Sequence, residues 1–398
     1  MNKLLFPFAL LVNLLIITPV FSQWQKCPND LIGGEVFSLA RCPAGLLAGT
    51  ENGGIFLSSD NGNTWTPKNQ GISTSLFYSI KVNGDNIYAA SNNGGIYVST
   101  NNGDNWMQTF YSNDVYNPTC LALSKDYIFL STESGMFISS NGTDWMQKNT
   151  GLTNFTDQFD FAVAVNDNYA FVGASSGVFV SSNNGDSWQK SVSGLELTSI
   201  TVLEANNNYV FAGGWTGLAL STDNGATWNT KMQGLTSSHI YCITLYNNYT
   251  VIGTDGGVFV SSDFGDSWQH MNDGITSTDV YCLYIDGNTI YAGSNNGIIY
   301  KADISSLGIV SKVEETRCNN EFAPYPQPAT DYVEIPFCSD EPATIEVYSA
   351  SGNLIETIEI SDIKDKLILN TEKYLSGKYF VTVKSGNRSD NYMFIIAK

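Results

Sequence analysis

Basic side chains are scarce in this 398-residue chain: 19 Lys and Arg stand against 38 Asp and Glu, a net charge of −19. Between Gln23 and Asp303 the balance is 24 acids to 9 bases, and Arg41 is the single arginine. A surface of that sign repels phosphates, which excludes nucleic acid and disfavours anionic glycans. Histidine occurs twice, at His239 and His270, and neither sits in a cysteine or carboxylate cluster with ligand spacing, so neither metal nor cofactor is expected. A phosphate-cradling loop and a nucleophile elbow are both missing. After residue 22 no apolar run approaches the roughly 20 residues that span a bilayer, so the mature chain is expected to carry no transmembrane span.

The ends and the cysteines set further bounds. Lys3, the apolar run Leu4 to Val20 and the compact Val20-Phe21-Ser22 read as a secretory signal over residues 1–22, with cleavage before Gln23. Seven cysteines in an exported chain invite disulfides. Cys27 with Cys42 and Cys318 with Cys338 have workable spacing, which alone establishes nothing. Cys120, Cys242 and Cys282 recur at one repeat position, held elsewhere by Ser38, Ser79, Ala162 and Ser199, so a small buried free thiol is expected there.

What is abundant is repetition. Ser58 to Trp65 reads SSDNGNTW, and variants end at Trp106, Trp145, Trp188, Trp228 and Trp268, in steps of 41, 39, 43, 40 and 40 residues. A period near 40 marks stacked units, none of which can bury its face alone. Each unit reads as four short antiparallel strands: Phe77 to Val82, a turn, Ile87 to Ala90, a loop, Ile96 to Ser99, the Asn101 to Asp104 turn and a strand after Trp106. Seven such units describe an all-β, seven-bladed β-propeller over residues 23–303. The seventh unit, Val280 to Ala302, has only three strands. Trp24 lies 41 residues before Trp65, so the N-terminal strand is expected to complete that unit and close the ring, removing an open sheet edge.

The turn residues have assignable work. The third slot (Asp60, Asn101, Asn141, Asn183, Asp223, Asp263) accepts backbone N–H groups of its own turn. The glycines Gly62, Gly103, Gly142, Gly185, Gly225 and Gly265 take a backbone conformation that side chains disfavour, and each closing tryptophan buries a ring whose N–H needs an acceptor. These units resemble Asp-box repeats, also called bacterial neuraminidase repeats, known from sialidases, some endoglucanase-type hydrolases and sortilin-like receptors. The resemblance implies the fold; fold does not imply activity. Calcium at these turns is disfavoured, because a neutral amide occupies the third slot in three of six copies.

In the sialidases an arginine triad grips the substrate carboxylate, and the lone Arg41 cannot supply it. No catalytic residue is therefore assigned. By strand order the loops opposite the Asp-box turns form the ligand face. Its short loops carry Glu51, Glu133, Trp215 and Asp255, the candidate ligand-binding residues, and its long loops carry Phe110, Tyr111, Tyr116, Phe155, Asp157, Asp160, Glu196 and Asp279. Trp215 suits stacking on a sugar or anchoring a protein partner, against plain inter-blade packing. The expected work is binding of a neutral glycan or a protein. The alternatives are a glycoside hydrolase using two loop carboxylates and a structural surface component.

Residues 304–322 carry no period and read as a linker. Residues 323–398 read as a small β-sandwich of six short strands. Tyr325-Pro326-Gln327-Pro328-Ala329-Thr330-Asp331, Ile345 to Tyr348 with Ser351-Gly352, and Leu375 to Val381 resemble the type A sorting domain of type IX secretion, with Gln327 where that family commonly has Asn. The resemblance implies a Bacteroidota-type bacterium, a partner in the type IX secretion machinery, and a secreted or outer-surface destination.

Overall fold

The computed structural model describes residues 23–398 apart from 93–94, 112–117, 153–161, 192, 198, 207–208, 310–328, 337–342, 351–352, 361–365, 386–387 and 397. The expected signal, Cys318, Cys338, Tyr116, Phe155, Asp157, Asp160 and the Tyr325 to Pro328 stretch lie outside the described residues. Contacts divide the chain into two units, residues 1–311 and 312–398. Among the described residues no helix is long and apolar enough to cross a membrane.

In the first unit, strands between Gln25 and Asp303 form seven four-stranded antiparallel sheets. Six follow simple chain order, from Val36–Cys42 through to Gln269–His270. The seventh holds Val280–Asp286, Thr289–Ser294 and Ile299–Asp303, completed by Gln25–Lys26, with Gln25 opposite Lys301 and Lys26 opposite Tyr300. The innermost strand of each blade touches that of the next, and the last touches the first. The ring is thus closed by the Gln25–Lys26 strand. Arg41 lies on this seam, its Nη1 3.2 Å from Asp286 Oδ2 and donating to Asn61 Oδ1 at 3.2 Å.

The tryptophans join neighbouring blades. The Nε1 of Trp106, Trp188 and Trp268 donates to the carbonyls of Lys68, Lys148 and Lys231 at 2.8, 3.0 and 3.0 Å. Each acceptor lies three residues after the preceding blade's tryptophan. Trp24, 1% exposed, does the same to Met271 at 2.8 Å, so it is the seventh member of the series. Trp228 uses the Ser191 hydroxyl, also three residues on, at 2.8 Å. Trp145 turns to Gly142 of its own turn at 3.3 Å, and the buried Nε1 of Trp65 has no partner among the described residues. The acceptor lysines add a second tie. Lys68 and Lys148 meet Asp104 and Asp186 of the next blade at 2.5 Å, and Lys231 meets Asp266. Such exposed pairs contribute about 0–1 kcal/mol each, so the buried indole bond dominates.

The Asp-box turns are closed by short side chains. The Ser58 hydroxyl donates to Asp60 Oδ1 at 2.8 Å and accepts the Gly62 N–H at 2.8 Å, while Thr64 N–H and Oγ1 donate to the two Asp60 oxygens at 2.8 and 2.7 Å. Asn101 substitutes for the carboxylate, accepting from Ser99 Oγ at 2.9 Å and Asn105 N–H at 3.0 Å. The one-residue-shorter Asn141 turn keeps the same bonds, with Ser139 now three rather than four residues before its glycine. Gly62 sits at φ 83°, where a β-carbon is strained, and Asn61 before it is also left-handed at φ 56°.

The structure resolves one point the sequence left open and corrects one expectation. Cys27 and Cys42 are free, buried thiols and not a disulfide. Past Asp303, Ile304–Leu307 forms a 3₁₀ turn, and Ile304, Leu307 and Ile309 bury apolar side chains against Trp24 and the last blade. Ser199 does not hold the small-residue position. A bulge between Ile200 and Val202 shifts the register, so Val202 opposes Gly213 as Cys242 opposes Gly253.

The second unit packs a two-stranded sheet, Tyr332–Pro336 with Lys366–Asn370, and a four-stranded sheet of Leu354–Ile360, Ala343–Ser349, Gly377–Ser385 and Arg388–Ile396. Val333, Ile335, Ile345, Val347, Val381 and Phe394 form its core.

Two predictions follow from these bonds. Trp188→Phe is expected to lower stability by about 1–3 kcal/mol, the usual cost of a buried group losing its partner. An unchanged denaturant midpoint would show the latch to be idle. Asp60, held down to about 2 chiefly by the Thr64 hydroxyl, then the Thr64 N–H and Ser58, stabilises the fold above the ordinary aspartate value of about 3.9 and ceases to as pH falls through about 2. Asp60→Asn should therefore flatten the acid limb of the thermal midpoint between those pH values; an unaltered limb would place the acid sensitivity elsewhere.

Candidate functional site

The inner strands of all seven blades surround a central cavity of about 650 Å³. The small-residue position bridges blades across it. Ser38 Oγ accepts the Ile80 N–H at 2.9 Å and Ser79 Oγ accepts the Leu121 N–H at 3.2 Å. Cys282 and Cys242 donate to the Val36 and Val280 carbonyls at 3.2 and 3.6 Å. Hydroxyl and thiol alternate there because both are short and both reach the neighbouring backbone. All three thiols line the cavity; Cys282 is buried as expected, whereas Cys120 and Cys242 are only partly so.

One residue before this position, a bulge repeats. The inner strands skip register between Val36 and Ser38, Phe77 and Ser79, Ile200 and Val202, Ile240 and Cys242, and Val280 and Cys282. The bulged residues are Phe37, Tyr78, Thr201, Tyr241 and Tyr281, and all five line the cavity. A bulge re-aims its side chain out of the strand's alternation. Four consecutive blades therefore present an aromatic ring apiece. Their centroids run Tyr241 to Tyr281 at 4.9 Å, Tyr281 to Phe37 at 5.5 Å and Phe37 to Tyr78 at 5.2 Å. His239 extends the row at 6.3 Å from Tyr241, and Trp215 ends it edge-on to His239 at 5.0 Å. The result is a six-ring arc.

The candidate residues fall around this arc. Trp215 is 58% exposed and lines the cavity with Glu133, so its side chain is not consumed by inter-blade packing. Asp255 accepts the Ser237 hydroxyl and stands 3.5 Å from His239 Nδ1. Glu51 accepts from Asn52 Nδ2 at 2.9 Å, and the adjacent Glu35 carboxyl pushes it above the usual range. The Tyr281 phenol is pushed up to about 12 by burial first, then by Asp279, Glu35, Tyr241 and Glu51. Burial raises Tyr241 too, with Asp279 and Asp255 adding to it. Thus Glu35, Glu51, Asp255 and Asp279 all act on the arc. Phe110 is not part of it, being packed 5.0 Å from Phe137 and 5.6 Å from Trp145, and Glu196 is exposed. Sequence reasoning missed Phe37, Tyr78, Tyr241 and Tyr281, although the recurring apolar–aromatic–Ser/Cys triplets VFS, FYS, IYC and VYC carried the signal.

The comparisons fit this architecture. YCF48 from Cyanidioschyzon merolae superposes with a TM-score of 0.57 at 15% identity, over 71% of this chain and 99% of that one. PorZ, a surface component of the type IX secretion system of Porphyromonas gingivalis, superposes at 0.54 and 13% identity, over 92% of this chain and 59% of its own. The extracellular domain of BT3049 from B. thetaiotaomicron gives 0.57 at 14%, over 94% and 57%. At these identities the likeness establishes the fold alone. No curated protein matches this chain in sequence. The chain is a repeat β-propeller of the all-β class. Residues 323–397 match the secretion system C-terminal sorting domain family, which makes it a propeller exported by type IX secretion to the cell surface or beyond.

Burial pushes Cys282 up to about 12 and Cys27 up to about 11, so neither supplies thiolate at neutral pH. With Cys318 and Cys338 changed to Ser, the native chain at pH 8 should leave both unlabelled by an aromatic disulfide reagent over minutes and show five thiols in guanidinium. Prompt native labelling of Cys282 would contradict its burial.

Proposed function

We propose that the exported propeller is a binding protein whose ligand seat is the aromatic arc at the cavity mouth, and that its ligand is a neutral glycan or a protein segment. The carrying observation is that one bulge, repeated in consecutive inner strands, delivers Phe37, Tyr78, Tyr241 and Tyr281 to one side of the cavity, with exposed Trp215 at the end of the row. Packing alone does not require rings in solvent-accessible positions. Aromatic faces bind sugar rings and side chains alike. YCF48, similar in fold at a TM-score of 0.57 and 14% identity, over 71% of this chain and 97% of that one, is described bound to D1 peptide, which supports a propeller as a peptide receptor. The carboxylates of the arc are engaged with Ser237, His239 and Asn52, an arrangement better suited to shaping a seat than to acid–base turnover.

The mature chain should deplete onto a polymer or partner through this face. A panel of neutral and acidic polysaccharides, followed for both depletion and new reducing ends, tests the reading. Retention that falls at least tenfold in Tyr241→Ala/Tyr281→Ala supports it. New reducing ends would replace binding by hydrolysis. Removing residues 323–398 is expected to abolish surface labelling of whole cells without preventing synthesis; persistent surface signal would assign export elsewhere.

A further inference from the structure

Resting on that reading of the seat, the chemistry of the mouth narrows its ligand. Asp255 stands 3.5 Å from His239 of the arc, burial and then the charges of Asp279, Glu35 and Glu51 raise the Tyr281 phenol, and Glu133 lines the same cavity as Trp215. The Oε2 of Glu35 is buried without a hydrogen-bond donor among the described residues. Against Glu35, Glu51, Asp255 and Asp279 the arc itself offers, among the described residues, only His239, already facing Asp255 at 3.5 Å. The lysine that lines the cavity, Lys81, lies on the inner strand four residues beyond Phe77, and it acts on Glu204 and Cys120. A neutral sugar would stack on the rings and donate hydroxyls to the acids but leave their charge uncompensated, whereas a cation stacks, donates and neutralises. Ring faces attract guanidinium or ammonium groups within about 6 Å, arginine more often than lysine because its planar group also stacks. Rings spaced 4.9–5.5 Å apart let one guanidinium lie over one face while its neighbours exclude water.

We propose that the mouth of the central cavity is a receptor for an arginine-bearing segment of a protein partner, with Tyr241, Tyr281, Phe37 and Trp215 stacking on the guanidinium groups and Glu35, Glu51, Asp255 and Asp279 receiving their N–H donors. The net charge of −15 from Gln23 to Asp303 steers such a segment toward the ring, and the local rings and acids distinguish the seat from the rest of that surface.

The test uses the mature full chain and an acetylated, amidated Gly-Arg-Gly-Arg-Gly peptide, titrated by calorimetry and tryptophan fluorescence in 0.15 M salt. The neutral control replaces both arginines by citrulline, which keeps shape and loses charge. Binding is expected to weaken at least tenfold for citrulline and for Tyr241→Leu/Tyr281→Leu, and about threefold for Trp215→Ala. Trp215 is exposed enough for its removal to leave folding intact. Asp85→Asn, an exposed acid of the Asn83–Asn86 turn, should change nothing. Arginine peptide that binds equally to the arc variants would reduce the effect to general surface charge and overturn the proposal. A neutral oligosaccharide bound instead, and lost in the arc variants, would overturn the arginine assignment while leaving the seat standing. Indifference of both probes to the arc variants would overturn both readings.

Discussion

A buried indole N–H that must find its acceptor on the adjacent sheet holds this ring together. A four-stranded blade is too thin to bury both of its faces. The tryptophan that ends each Asp-box turn covers part of the next interface and carries a donor that would be costly to leave unpaired. For five of the seven tryptophans the acceptor lies three residues after the preceding one, so those blades are positioned by their neighbours, as Trp106 on Lys68, Trp188 on Lys148 and Trp268 on Lys231. Trp24 on Met271 makes the same bond between the two ends of the ring, which is why closure needs so little chain. The turns serve this geometry. Their Ser hydroxyls and Asp or Asn oxygens fix the backbone that aims the indole, and an amide does so as well as a carboxylate.

The closed ring brings seven inner strands around one cavity, and small differences among the strands become chemistry there. The position just past the bulge reaches the neighbouring backbone where it holds serine or cysteine, as at Ser38 and Cys282, and Val202 fills it in the fifth blade. The bulged residue faces the opening. Four adjacent blades place rings there and a fifth places Thr201, so the mouth is lopsided. Acids on the surrounding loops complete a surface that is aromatic and negative on one side. Asymmetry of this kind is what a repeat fold needs to hold one ligand in one orientation.

Much of the scaffold was legible in the residues. Six tryptophans at a near-constant step, together with Trp24 one step earlier, gave the unit, the number of units and the closing strand. Strand order put Glu51, Glu133, Trp215 and Asp255 on the face opposite the Asp-box turns; Trp215 ends the row of rings, Asp255 stands 3.5 Å from His239, and Glu133 lines the cavity. Less was legible of the arc itself. Phe37, Tyr78, Tyr241 and Tyr281 look like ordinary members of alternating strands, and only a skipped pairing turns them toward the opening. The same skip explains why Ser199 looked like the small residue that Val202 replaces. The 3₁₀ turn at Ile304–Leu307 was not legible, because a lone turn has no periodicity to reveal it.

By itself, the sequence determined the repeat, the closure, the acidic character and the C-terminal sorting signal, because each is written in spacing, composition or a contiguous motif. Tertiary structure decided which rings share a surface, which cysteines are bridging thiols rather than disulfide partners, and which acids act on one another. Those properties depend on strand register and on contacts between blades about forty residues apart, and neither is encoded in any local stretch of chain.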